Sequence, residues 1–105
     1  MNKENFRHTV LFWLKEPENQ THRSAFEASL KRFIESSKYV QNKHIGVPAK
    51  TNRAVIDATY TYCLSVSFLS KEDQDKYQDE PAHLKFIEES SKLWRKVVVY
   101  DSDLI

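Results

Sequence analysis

Glycine is almost missing from this chain: Gly46 is the only one in 105 residues. Loops that cradle phosphates need several glycines, because only a residue without a Cβ lets the backbone close on the anion. A P-loop and a dinucleotide fingerprint are therefore excluded. Cysteine is equally scarce. Cys63 stands alone, which rules out an intramolecular disulfide and a Cys-rich zinc site. It also fits a reducing cytoplasm. The four histidines are scattered and pair with no carboxylate at a metal-ligand spacing, so neither metal nor cofactor is expected. Long apolar runs are absent. No segment reaches the roughly 20 residues of a membrane span. The apolar stretch Thr9 to Leu14, behind a polar N-terminus, is too short for a signal-peptide core. Charge of one sign is lacking as well. Sixteen Lys and Arg face 15 Asp and Glu, for a net charge of +1. That leaves no field to gather nucleic acid or an anionic membrane.

What is present suits one soluble cytoplasmic domain spanning residues 1–105. Apolar residues make up 40% and charged residues 30% of the chain, enough for one core. A domain this small gains from a partner chain.

Phe6 to Leu14 reads as a strand. Phe6, His8, Val10, Phe12 and Leu14 alternate onto one face, and Arg7, Thr9, Leu11 and Trp13 onto the other. Large apolar residues on both faces mean that both need cover. Asn19 or Thr21 can cap a helix to about Ser36, with Phe26, Leu30, Phe33 and Ile34 as its buried stripe. Tyr39 to Val47 reads as a less regular strand. Pro48 to Ala58 reads as a loop with a short edge piece at Ala54 to Ile56. Thr59 to Leu69 is the clearest strand, with Tyr60, Tyr62, Leu64, Val66 and Phe68 on one face. Ser70 and Asp73 form a capping box for a short helix to about Gln78. Pro81 stops it and starts another helix, to about Lys96. Val97 to Tyr100 closes the chain as a strand. The order is β-α-β-β-α-β with a split second helix, the α+β ferredoxin-like arrangement. Such a unit leaves one sheet face open. Here that face holds Leu11, Trp13, Tyr39 or Val40, Cys63 and one side of Val97 to Tyr100, too apolar to stay wet. A second copy of the chain, stacked face to face, would cover it.

The opening strand Phe6-Arg7-His8-Thr9-Val10-Leu11-Phe12-Trp13-Leu14 resembles the start of the stress-responsive A/B-barrel (Dabb) family. So do Ser65 to Ser70 leading to Tyr77, the segment Tyr77-Gln78-Asp79-Glu80-Pro81-Ala82-His83, and the ending Trp94 to Asp101. The family shows a Tyr, a Pro-x-His element, a Trp and a closing strand that ends near an Asp. It usually has a His before the proline, where this chain has Glu80, so any role of that His does not transfer. The resemblance implies a homodimer whose two sheets form a barrel with helices outside, and a cavity between each sheet and its helices. It also implies a catalytic pair at Tyr77 and His83, with His8 in the pocket, as in a plant member that cyclises polyketides without a cofactor.

Residue chemistry is compatible with this. His83 stands third in its helix, where the helix dipole disfavours the imidazolium and leaves a neutral base. The break at Pro81 can bring Tyr77 to it as an oxyanion donor. With Val10, Phe12, Phe26, Leu30, Leu64, Val66, Phe86 and Trp94 the set reads as an apolar pocket with a few polar points. The bland alternative stays open: a filled core, a hydrogen-bonded His8, and a stress-associated structural or interaction protein without chemistry. Cavity volume separates the two. His22 and His44 read as solvated, and Cys63 as inert.

Overall fold

A computed structural model describes residues 3–105. Its elements run β1 (Phe6–Leu14), α1 (Gln20–Ser36), β2 (Lys43–Gly46), β3 (Tyr62–Phe68), α2 (Lys71–Asp79), α3 (Pro81–Ser90), a 3-10 turn (Ser91–Leu93) and β4 (Trp94–Asp103). The four strands form one antiparallel sheet in the order β2-β3-β1-β4. This is the ferredoxin-like βαββαβ fold, with its second helix in two pieces.

β1 is central, and its pleat sorts the molecule. His8 lies opposite Val66 and Asp101, Val10 opposite Leu64 and Val99, and Phe12 opposite Tyr62 and Val97. These residues share the face that the helices cover. α1 begins where the Asn19 side chain accepts from the His22 N–H at 3.1 Å. It buries Phe26, Leu30, Phe33 and Ile34 against the sheet. α2 begins where the Ser70 hydroxyl accepts from the Asp73 N–H at 3.2 Å. It ends because a residue before proline is kept out of the helical region; Glu80 is extended, with ψ 140°. Pro81 then opens α3, where its missing N–H costs nothing.

Four boundaries differ from the sequence reading. α3 ends at Ser90, not near Lys96, and β4 runs from Trp94 to Asp103 rather than only Val97 to Tyr100. Ser90 and Ser91 are weak helix formers, and pairing with β1 pulls the β-branched run behind them into the sheet. β2 is limited to Lys43–Gly46, while Tyr39 and Val40 pack against the core under the helices instead of on the open face. β3 starts at Tyr62 instead of Thr59. Ala54 to Ile56 forms no strand; a turn lies there, and Val55 is 82% exposed.

The open face is also less bare than expected. Trp13 is only 5% exposed within the single chain. Its indole N–H donates to the Thr59 hydroxyl at 3.0 Å, the Tyr60 ring lies 6.5 Å away edge-on, and the Lys96 ammonium sits 4.6 Å over it. Asp57 holds this flap by accepting from the Thr59 N–H at 2.9 Å and hydroxyl at 2.6 Å. The flap is cut from the long β2–β3 connection, whose reach periodicity does not reveal. What stays open centres on half-buried Leu11, which faces Cys63 and Val98 in register. Arg7 donates to Ser65 at 3.0 Å on the same side. No helix among the described residues is long and apolar enough to cross a membrane.

Leu30 is fully buried, so Leu30→Ala should lose about 2–5 kcal/mol in urea unfolding. Val55→Ala should stay within about 0.5 kcal/mol of the parent.

Candidate functional site

The break at Glu80 turns two helix ends toward each other. Tyr77 occupies the last turn of α2 and His83 the first turn of α3. Their ring centroids stand 5.7 Å apart, a convergence that an unbroken helix would not allow at a spacing of six. His8 rises from β1 on the same side, with its ring 5.8 Å from that of Tyr77. Phe33 of α1 packs against both Tyr77 and His83, at 5.1 and 5.2 Å.

Beside these rings lies a cavity of about 340 Å³ between the sheet and α2–α3. His8, Val10, Phe12, Leu64, Tyr77, His83, Phe86 and Trp94 line it. Trp94 does so as the first residue of β4 rather than from a helix. Phe26, Leu30 and Val66, expected in the lining, are absent from it and fully buried in the core. α1 sits directly on that half of the sheet, where Phe26 stacks on Tyr62 at 4.9 Å and leaves no space. Phe33, Gln78, Ile87, Val97 and Val99 complete the lining. Of these, Val97 and Val99 lay within the strand read from the sequence, but only the β1–β4 register turns them to the helix face, and Phe33 was assigned to the core stripe of α1. Ile87 and Val99, 37% and 48% exposed, stand on the side nearest solvent. Leu11 and Trp13 lie on the opposite face of β1, away from the cavity.

The polar groups are unequal. His83 Nδ1 is buried and has no hydrogen-bond partner among the described residues. Burial holds its pKa below the usual histidine value, and the neighbouring His8 adds to this. The Gln78 backbone, Asp79 and Glu80 oppose the shift. Burial pushes the Tyr77 phenol well above its ordinary range, and the Glu80 charge adds to it. Tyr77 and His83 are therefore both neutral near pH 7. His8, 5% exposed, is not left alone: its Nδ1 lies 2.5 Å from the Asp101 carboxylate. Asp101 is a further residue that sequence reasoning missed. The closing Asp was visible, but only the β1–β4 register puts it opposite His8. His22 is half-buried at the start of α1 and His44 is exposed in β2, both away from the cavity. Among the described residues no group of three or more His, Cys, Asp or Glu is placed to hold a metal.

Two outcomes follow from this geometry. By NMR, His83 should titrate with a midpoint below 6.5. As pH falls from 6.5 through that midpoint, the unfolded chain binds more protons than the folded one, so stability should drop. His83→Gln should flatten that part of the stability curve. Asp101→Ala should strand a buried imidazole and cost about 1–3 kcal/mol in urea unfolding.

Known structures share this architecture. A Dabb family protein with a ferredoxin-like fold from Mesorhizobium loti superposes with a TM-score of 0.80 at 21% identity, covering 98% of this chain and 99% of that one. A dimeric ferredoxin-like protein of unknown function from Thermobifida fusca gives 0.76 at 15% identity, covering 95% and 91%. A hydroxynitrile lyase from Passiflora edulis gives 0.77 at 21% identity, covering 97% and 94%. At such identities the likeness establishes the fold alone. No curated protein matches the sequence significantly. The family described as Stress responsive A/B Barrel Domain matches residues 6–104, nearly the whole length, and the chain belongs to that family.

Proposed function

We propose that this protein binds a small, largely apolar or aromatic molecule between its sheet and helices, and performs cofactor-free acid–base chemistry on it. One observation carries the proposal: a buried histidine held neutral beside a protonated tyrosine, both on the wall of an aromatic cavity. An engineered cavity of about 150 Å³ holds one benzene. A volume of about 340 Å³ therefore suits a molecule of one or two rings.

The chemistry that fits is proton abstraction next to a carbonyl. His83 takes a proton from the carbon, and the electron pair moves onto the carbonyl oxygen. The Tyr77 hydroxyl stabilises that oxyanion. The enolate carbon then bonds to a second carbonyl carbon of the same molecule, and the protonated His83 returns its proton to the new alkoxide. The sum is an aldol-type cyclisation; return of the proton to a different carbon would be an isomerisation. Val10, Phe12, Leu64, Phe86 and Trp94 exclude water and hold the apolar body. His8, fixed by Asp101, supplies a further polar point. A hydroxynitrile lyase has the same fold, so the fold can accommodate an enzyme.

The protein acts as a homodimer in this reading. Leu11 and the neighbouring Val98 and Tyr100 would meet a second copy, with Trp13 contributing at the edge through its flap. The dimeric description of proteins with the same fold supports it.

Binding is testable with 2-naphthaldehyde, followed through quenching of tryptophan fluorescence. His83→Ala and Tyr77→Phe should keep affinity within a few-fold. Turnover of linear polyketide or aromatic carbonyl substrates should fall about 10²–10⁴-fold for His83→Ala and about 10²-fold or more for Tyr77→Phe. Unchanged turnover in both variants removes them from the chemistry; binding without turnover makes the protein a carrier. Sedimentation equilibrium at high micromolar concentration should give a dimer, and Leu11→Arg should shift it to monomer.

A further inference from the structure

We infer that Glu80 is a positioning residue, clamped to the end of α1 so that the elbow between α2 and α3 holds Tyr77 and His83 at a fixed separation. This rests on reading those two residues as the site.

The main chain of Glu80 joins both of them. Its N–H donates to the Tyr77 carbonyl at 3.2 Å, and its carbonyl accepts from the His83 N–H at 2.9 Å. Pro81 follows with no N–H to give, so the main chain alone ties the elbow loosely. The side chain supplies the missing restraint. One carboxylate oxygen accepts from the Ser37 hydroxyl at 2.6 Å, and the other from the Lys38 N–H at 3.1 Å. Ser37 is the C-cap of α1, one turn beyond Phe33. Phe33 in turn packs on Tyr77 and His83 and stacks on Phe86 at 5.3 Å. The elbow is thus fixed from two directions, by the carboxylate and by the ring.

Burial makes the clamp stiff. Glu80 is 9% exposed, and a carboxylate at that depth is tolerated only while its oxygens are hydrogen-bonded. Swinging the elbow would break both bonds at once. The negative charge also bears on the pair. Among the groups around His83, His8 disfavours the imidazolium, while Asp79 and Glu80 favour it. The same charge helps keep Tyr77 protonated.

Three variants of the full chain separate clamp from charge. Glu80→Gln keeps the shape, loses the charge, and cannot accept at both positions. Ser37→Ala removes one bond and keeps the charge. Glu80→Ala removes everything, and the other two variants carry the test if it does not fold. The readouts are Tyr77–His83 ring NOEs and the His83 titration by NMR, neither of which needs a substrate. Ser37→Ala should weaken the NOEs with the His83 midpoint retained. Glu80→Gln should weaken them and also lower the His83 midpoint. If both variants melt earlier while NOEs and midpoint stay as in the parent, Glu80 is merely structural and the inference fails. A parent protein that does not bind 2-naphthaldehyde would instead overturn the ligand reading and leave the clamp standing.

Discussion

The pleat of β1 is the constraint on which the molecule depends. Because successive side chains point to opposite faces, a slip of one residue would move His8, Val10 and Phe12 out of the core and put Arg7 and Thr9 in their place. Pairing on both edges prevents that slip. β3 brings Leu64 and Val66 beside them, and β4 brings Val97, Val99 and Asp101. The helices then pack on a face that is apolar except where His8 meets Asp101. The other face is left to Leu11, to Trp13 under its flap, and to a polar network around Arg7 and Ser65.

On that base the site is assembled from an interruption. Pro81 breaks what would otherwise be one helix and so brings two ring side chains together above His8. Burial does the rest through a single mechanism acting on opposite charge types. Desolvation disfavours the imidazolium of His83 and the phenolate of Tyr77 alike, so both are kept neutral. The empty volume matters as much as the groups. α1 fills its half of the sheet with Phe26 and Leu30, while the shorter, broken α2–α3 pair leaves space over the β1–β4 half.

The fold does not choose among functions. Dimeric proteins of unknown function and a hydroxynitrile lyase share it. What distinguishes one member from another must lie in the side chains around the cavity and at the elbow. In this chain the elbow carries a carboxylate bound to α1, so local helix geometry and site geometry are joined at one residue.

Much of this was legible in the residues themselves. Alternation in Phe6 to Leu14, the stripe Phe26-Leu30-Phe33-Ile34, the caps at Asn19 and Ser70, and the stop at Pro81 are local signals, and each specifies its element because the cause lies within a few residues. The ends of α3 and β4 were not legible, since Trp94 to Lys96 suit helix or strand until β1 offers hydrogen bonds. Nor could periodicity tell Phe26 from Phe86, although one fills the core and the other lines a void. By itself the sequence determined the order of elements, the face on which His8 lies and the break that frees Tyr77 and His83. Only the tertiary structure decided that Asp101 meets His8, that Glu80 reaches Ser37, that Trp13 is covered, and that a cavity exists, because each depends on distances between segments remote along the chain.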